Sequence, residues 1–444
     1  MRRPEPFSCG ALERILFGEL CLPRQSRFVV AFSGGADSSA LLHALARIPE
    51  AASRARAIHI HHGLHLLAND WAHHCIVTCA GLGIPCVVRR IEARAAPDLG
   101  PEGSARAARY QALREMLAES EVLLTAHHES DQAETVLLQL FRGCAVPGLA
   151  AIPRSQPFGR GQLVRPLLEI PGAALRDYLQ HHQVAWIEDP SNSDCGLRRN
   201  YLRHRIMPLL EAQWPQPATA LARAARRARA ALTVLTEIAK EDLSRALDPG
   251  QKALRIEALR NLSEPRLANL LHRWITQTGA AACSESQMRR LIAWLRREPG
   301  SPRISWSGLD IRRYRGLIYQ LSSAPSNDFT PISWDLSAPL ALPALGLALV
   351  PSPATGNGLA RGRIPQVEVR LRSGGEVCRP HASRHQRPLK KILQDRGIPP
   401  WERARLPLLF VGSELAAVAD LWVCAPFAAE ANEPGVVVRV DSLA

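Results

Sequence analysis

The stretch Ser33-Gly34-Gly35-Ala36-Asp37-Ser38 follows directly on an apolar run, Phe28-Val29-Val30-Ala31-Phe32. It leads into Ser39 to Ile48, where Leu41, Leu42, Leu45 and Ile48 recur on one side. The pattern reads as strand, tight glycine-rich turn, helix. Paired glycines let the backbone turn sharply and leave no side chains in front of its N–H groups. With a helix N-terminus behind them, those N–H groups make an anion site, to which Ser33, Ser38 and Ser39 add hydroxyl donors. The loop has no lysine after its last glycine, so it is not a Walker A motif. Nor does it carry the spacing of a dinucleotide fingerprint. An aspartate beside a phosphate cradle repels phosphates unless it holds a bridging Mg²⁺. The competing reading is an ordinary Gly-Gly turn.

The loop resembles the pyrophosphate (PP) loop of the N-type ATP pyrophosphatases, which cleave ATP between its α and β phosphates. Strands and helices alternate around it. Strands are expected at Ala57–Ile60, from Cys86, and over Val122–Ala126. Helices are expected over Asn69–Leu82, Glu102–Glu119 and Asp131–Arg142, the last capped by Ser130. This order argues an α/β, doubly wound parallel sheet, whose ligands sit off the carboxyl ends of the strands.

The pattern changes at Trp214-Pro215-Gln216-Pro217, which places a first domain at 1–214. A mainly helical middle domain follows over 215–325, with helices at Ala218–Leu247, Ser263–Gln277 and Ser284–Arg297, and strand-like segments broken at Ser307-Gly308. A proline-rich stretch at 326–365 reads as linker and edge strands. A small mixed α/β domain closes the chain over 366–444.

Composition narrows the function. Lys and Arg total 55 against 41 acids, a net charge of +14, and only Lys240, Lys252, Lys390 and Lys391 are lysines. Such a basic chain is expected to meet a polyanion, first of all nucleic acid. Eight arginines and one acid lie between Arg198 and Arg229; ten Arg or Lys and three acids lie between Arg370 and Arg405. No apolar run approaches the ~20 residues that span a bilayer. The basic N-terminus lacks the long apolar centre of a signal peptide, so a cytoplasmic protein with no membrane partner is expected. None of the ten cysteines forms a Cys-x-x-Cys pair, and all read as reduced thiols, mostly in packing.

Three further clusters carry chemistry. His59-Ile60-His61-His62-Gly63-Leu64 follows the second strand, and its histidines read as hydrogen-bonding groups at the mouth of a nucleotide pocket rather than a zinc site. Arg106 and Arg109, in Arg106-Ala-Ala-Arg109-Tyr110, share a helix face and suit nucleic acid or ATP phosphates; a solvated basic face is the alternative. Thr125-Ala126-His127-His128-Glu129-Ser130-Asp131-Gln132-Ala133-Glu134-Thr135 places Asp131 and Glu134 on one face of a helix start. There they can favour the helix dipole, or hold an ammonium or Mg²⁺.

Together with Arg165-Pro-Leu-Leu168 and Glu188-Asp-Pro-Ser-Asn192, these motifs come in the order and spacing of the bacterial tRNA(Ile)-lysidine synthetase family. The C-terminal region is similar to that family's terminal domain through Arg372-Ser-Gly-Gly-Glu376, Pro388-Leu-Lys390-Lys391 and Gly397-Ile-Pro-Pro-Trp401-Glu-Arg403. Two departures stand out. Ser130 occupies the place of the first of two adjacent acids, and His61 that of an Asn or Asp.

The resemblance implies a carbon–nitrogen ligase acting on the wobble cytidine of CAU-anticodon isoleucine tRNA, with free L-lysine as co-substrate and ATP and Mg²⁺ as cofactors; it leaves room for a homodimer. It implies that Ser33, Gly34, Gly35, Ala36, Asp37 and Ser38, with His59 and His62, bind ATP, and that Asp37 holds Mg²⁺. Asp37, His127, Asp131 and Glu134 are then catalytic, with Asp131 and Glu134 facing lysine. Arg106, Arg109, Arg199, Arg203, Arg205, Lys390, Lys391 and Arg403 bind tRNA. A tRNA thiolase would bring paired cysteines, a glutamine-dependent amidotransferase a glutaminase domain; an RNA-binding protein with a vestigial nucleotide site is the non-enzymatic alternative.

Overall fold

The structure is a computed structural model. It describes residues 6–443 except 64, 92–99, 251–252, 280–282, 298–301, 307–308, 322–328 and 381–384, so Leu64 of the histidine motif and the Ser307-Gly308 break lie outside the described residues. The chain divides into two compact units, Met1–Leu235 and Thr236–Ala444.

The first unit is built on six strands: β1 (Arg27–Ala31), β2 (Ala55–His61), β3 (Cys86–Arg90), β4 (Glu121–Leu124), β5 (Ser155–Phe158) and β6 (Gly161–Val164), in the order β3-β2-β1-β4-β6-β5. All neighbours run parallel except β5, which folds back on β6 as an antiparallel edge hairpin. Phe28, Val29 and Val30 are fully buried, as expected where helices cover both faces of a parallel sheet. On one face, α1 (Ala36–Ala46) packs with the later helix Gly172–His181 through Leu41, Leu45, Leu175 and Leu179. α2 (Ala68–Gly81) joins that face through Cys75 and Cys79. On the other face, after β3, α3 (Gly100–Met116) packs Leu113 on Val29, Ile58 and Leu163. Strand order reverses at β1, with β2 on one side and β4 on the other. That is the switch point at which such sheets open a crevice, and the glycine loop sits there.

Far from that crevice, His43 of α1 is buried and bonded to the Tyr178 hydroxyl, 2.9 Å away. Burial pushes its pKa down to about 4, with Arg47 and His182 adding to the effect. The folded pKa lies below the unfolded value of about 6.5, so this stabilisation is present above that value and is lost as pH falls toward 4. Denaturant titrations are expected to show the first unit losing about 3 kcal/mol across that window, and His43→Gln to flatten the loss. A wild-type midpoint unchanged from pH 7 to pH 4 contradicts this.

The expected domain boundary at 214–215 moves. The turn at Trp214 is real, but the following helix, Pro217–Ala246, is tied back to the first unit. Arg229 donates to the Ala150 and Ala151 carbonyls, and Arg226 pairs with Glu169 at 3.3 Å. The division therefore falls inside the helix.

In the second unit, Glu264–Thr276 and Glu285–Arg296 pack Leu267, Leu271 and Leu291 on an antiparallel sheet of β7 (Ala253–Arg255), β8 (Arg303–Trp306), β9 (Leu309–Tyr314) and β10 (Leu317–Leu321). The 326–365 stretch supplies edge strands, as expected, at Ile332–Trp334, Leu340–Leu342 and Leu359–Ala360, but it is not a linker. Its strand Leu347–Thr355 pairs along its length with Pro434–Ser442, and its apolar side chains share one core with Val367, Val369 and Leu409. The thiols are not all reduced either: Cys378 and Cys424, 46 residues apart, are joined in a disulfide. A bridge between Pro380 and Cys424 aligns the two segments that carry them. Among the described residues, no helix is long and apolar enough to cross a membrane.

Candidate active site

The loop has the conformation its glycines allow. Gly34 lies at φ +84°, where an added Cβ would stand 2.7 Å from Ile187 Cδ1 and 3.1 Å from Cys75 Sγ. Ile187 N–H donates to the Gly34 carbonyl at 2.9 Å, which ties the segment before the Glu188-Asp-Pro-Ser-Asn192 motif to the loop. Gly35 caps α1 with no side-chain hydrogen bond to the helix's first N–H groups. Those groups stay available to an anion. Ser33 and Ser38 hydroxyls lie 3.0 Å apart across the turn, and Ser38 and Ser39 donate to the Gly35 and Gly34 carbonyls.

His59 does not face the crevice. It is buried, with Nδ1 3.0 Å from the Phe32 carbonyl and 3.3 Å from Cys75 Sγ. It buttresses the loop from behind rather than touching a nucleotide. Burial also pushes the Cys75 thiol up to about 12, which leaves it inert. His62 is half-buried. Burial lowers its pKa, the Asp189 carboxylate works against that, and Arg109 adds to it, so His62 feels both the Asp189 motif and Arg109 of α3.

The carboxylates converge beside the loop. Helix α4 (Glu129–Leu140) starts one turn's corner earlier than Ser130 capping would place it: His128 is the cap. Its Nδ1 accepts from Ser130 N–H at 3.2 Å, while Asp131 Oδ2 accepts from His128 N–H at 2.9 Å, a reciprocal capping box. The other His128 nitrogen, Nε2, reaches Asp37 Oδ2 at 3.4 Å and Asp131 Oδ2 at 3.8 Å. Burial opposes charge on this imidazole, but the Asp37 and Asp131 carboxylates outweigh it and raise its pKa. Asp131 itself is held at about 2: burial works against ionisation, but His128, Arg199 and His127 outweigh it.

Glu134 is 1% exposed and fully engaged. Arg199 Nε donates to one of its oxygens at 2.6 Å and Arg203 Nε to the other at 2.7 Å. Both guanidiniums also reach Asp131 Oδ1, at 3.1 and 3.3 Å. Arg199 and Arg203 therefore spend their charge on the carboxylate pair rather than presenting it to a tRNA backbone. Their segment is fixed by buried Asn200, which donates to the Ser191 and Asp194 carbonyls. His127 is bonded to the Thr125 hydroxyl at 2.9 Å, and its pKa is driven down to about 3, first by burial and further by Arg165, Arg106 and Arg199, against Asp131. It stays neutral at neutral pH.

Asp37, with 38% of its side chain exposed, is the open carboxylate at the loop. One carboxylate next to an anion cradle suits Mg²⁺, which takes few protein ligands and completes its shell with phosphate oxygens and water. Among the described residues, no three His, Cys, Asp or Glu side chains converge as a metal cage.

Of the remaining expected tRNA contacts, Arg106, Arg109, Arg205, Lys390 and Lys391 are exposed. Arg403 is not. It is buried, donates to the Ile398 carbonyl at 2.6 Å and the Tyr314 hydroxyl at 2.8 Å, and bridges β9 to the C-terminal region within the second unit. No phosphate reaches it there. Sequence reasoning missed His128; the signal was an acid three residues after a polar residue at a helix start, the capping-box spacing.

Three family models match in order along the chain: a PP-loop domain over residues 13–210, a TilS substrate binding domain over 254–319 and a TilS substrate C-terminal domain over 367–440. The tRNA(Ile)-lysidine synthase of Coxiella burnetii is 37% identical over 434 residues, which cover 97% of this chain and 96% of that protein. That of Alkalilimnicola ehrlichii is 40% identical over 417 residues, 91% of this chain and 92% of that protein. That of Pseudomonas aeruginosa is 40% identical over 412 residues, 88% and 89% of the two chains. The likeness thus runs through the loop unit and both parts of the second unit alike, and the chain belongs to the tRNA(Ile)-lysidine synthase family.

Proposed function

We propose that this protein ligates L-lysine to C2 of the wobble cytidine in CAU-anticodon isoleucine tRNA, consuming ATP. The observation that carries the reading is a lysine-free phosphate loop whose one open carboxylate, Asp37, is linked through His128 to the Asp131–Glu134 pair. A loop of this kind holds a leaving pyrophosphate, and the acids beside it suit a cationic co-substrate.

The chemistry has two steps. The 2-carbonyl oxygen of cytidine is a poor leaving group. Its attack on the α-phosphorus of ATP releases pyrophosphate and makes it a good one. The lysine ε-amine, in its neutral form, then forms the C2–N bond, AMP departs with the oxygen, and the amine's proton passes to solvent. Ser33, Gly34, Gly35, Ala36 and Ser38 hold the pyrophosphate through N–H and hydroxyl groups. Asp37 would hold Mg²⁺, which when bound would neutralise charge on the phosphates. Asp131 receives the lysine ammonium before it loses its proton, and Glu134 takes the Nε donors of Arg199 and Arg203, whose other nitrogens touch Asp131 Oδ1. His127, neutral, orients the base as a hydrogen-bond partner; with a pKa of about 3 it is too weakly basic to take a proton. The cytidine leaves its stack to enter, which an anticodon loop permits cheaply. Incubation with ATP and unmodified tRNA without lysine is expected to release pyrophosphate only when the wobble base is cytidine; release with any tRNA, or with none, contradicts the adenylation step.

The exposed lysines of the C-terminal region extend the RNA surface. Changing Lys390 and Lys391 together to Ala is expected to weaken tRNA binding at low salt and to flatten its salt dependence by up to about 1–2 units of log–log slope. KM for ATP and lysine should stay near the parent values. Filter binding across salt concentrations checks this, and an unchanged slope removes both lysines from the interface.

A further inference from the structure

The disulfide of the second unit lies beneath the basic helix of the C-terminal region. Cys378 ends the strand Val377–Cys378, which pairs with Arg387–Pro388 over two residues. Pro388 has no N–H to give to this hairpin, and so short a ribbon is marginal without an anchor. The helix Leu389–Asp395 follows at once and carries Lys390 and Lys391, both exposed. On the other side of the bond, Cys424 directly follows Trp422–Val423, an end strand of a five-stranded sheet. The bond therefore ties the hairpin that leads into the basic helix to the edge of that sheet. Ala425 N–H donates to the Arg379 carbonyl at 2.7 Å, and Trp422 Nε1 donates to Cys378 Sγ at 3.2 Å. Arg396, which closes the helix, lies 4.2 Å from the Trp422 ring centre.

Apolar packing surrounds the bond. Cys378 and Cys424 share a core with Leu389, Ile392, Leu393, Leu408 and Val418. Two thiols in that core pack as small apolar groups, so the region has a core with or without the bond. The other eight cysteines are free. We propose that Cys378 and Cys424 form a reversible redox site. Oxidised, it clasps the basic helix to the sheet edge; reduced, it frees the hairpin and the helix start, which weakens the RNA surface. The last step rests on the reading above that Lys390 and Lys391 meet tRNA. The co-reactants are a dithiol reductant and a low-molecular-weight disulfide oxidant. One thiolate of the dithiol attacks a protein sulfur, and the other cysteine leaves as thiolate. The second thiol then resolves the mixed disulfide. Two electrons pass to the protein pair, and the dithiol's two protons end on Cys378 and Cys424. A low-molecular-weight disulfide reverses this and departs as two thiols. Both cysteines are 2% exposed, so exchange waits on local opening of the hairpin.

The test uses the full chain, held in dithiothreitol or in oxidised glutathione. Thiols are counted by maleimide labelling after denaturation, and peptide masses locate the bond. Hydrogen exchange is followed over 387–395, and tRNA binding is measured at low salt. Reduction is expected to expose two more thiols per chain, at Cys378 and Cys424, and to speed exchange over 387–395 about tenfold. Affinity for tRNA is expected to fall about three- to tenfold. Changing both cysteines to Ala should give the reduced behaviour in either buffer; the wild-type comparison stands without this variant should it fail to fold. No bond between these cysteines in oxidised glutathione, exchange that ignores the buffer, or a redox response that survives in the folded double variant overturns the proposal. Exchange that responds while tRNA binding does not would take the lysines out of the RNA interface, contradicting that reading and leaving the clasp in place.

Discussion

Asp37→Asn is expected to reduce tRNA-dependent pyrophosphate release by about 10³-fold or more while tRNA binding stays within about twofold of the parent. Asn keeps the shape and an oxygen acceptor toward His128, 3.4 Å away, so the loop and the α4 cap should survive. What is lost is the negative charge beside a phosphate cradle, and that charge has no favourable role there except toward a cation. The variant should therefore melt close to the parent. Turnover near the parent rate at saturating Mg²⁺ would remove the metal role from Asp37.

Glu134→Gln should separate the two chemical steps. Both Glu134 oxygens are bonded to guanidiniums, and the carboxylate is almost wholly buried. Gln leaves Arg199 and Arg203 with a single acid, Asp131, which both already touch. They are expected to close on it and neutralise the carboxylate proposed to receive lysine. Lysine transfer should fall about 10²-fold and adenylation by less than about tenfold, since the loop is untouched. The lost charge-assisted bonds should also cost about 2–3 kcal/mol of stability, less than a fully buried ion pair because the guanidiniums are part-exposed. Separating adenylated tRNA from lysidine product by chromatography reads both steps. Equal loss of the two reassigns Glu134 to ATP or the metal.

The elements legible in the sequence are those whose signal is local. The run from Phe28 to Phe32, the paired glycines and the leucines of α1 lie within a few turns of each other, so strand, loop and helix follow from periodicity and backbone freedom. Asp37 stands out because an acid in a phosphate loop needs a reason. The unread features are long-range. Arg199 and Arg203 meet Glu134 across 65 and 69 residues, and nothing near them in sequence distinguishes a guanidinium drawn inward from one facing solvent. Arg403 is withdrawn for the same reason, by Tyr314, 89 residues earlier. Cys378 and Cys424 find each other only through a strand bridge. The prolines of 347–355 look like linker, yet that strand is half-buried against the chain's last strand, a pairing no local window contains. His59 shows a different gap: it lies within β2 and His62 just beyond it, an odd number of positions apart, so in extended chain the two candidates point to opposite faces and one must point behind the loop.

The central claim is that lysine ends up covalently on one cytidine. The most direct measurement incubates the protein with ATP, Mg²⁺, labelled L-lysine and unmodified CAU-anticodon isoleucine tRNA, then digests the RNA and locates the label by nucleoside analysis. Label is predicted in a single modified cytidine at the wobble position, dependent on ATP and absent when that base is replaced by uridine. ATP-dependent pyrophosphate release with no label in the RNA, or label at any other nucleoside, would contradict it.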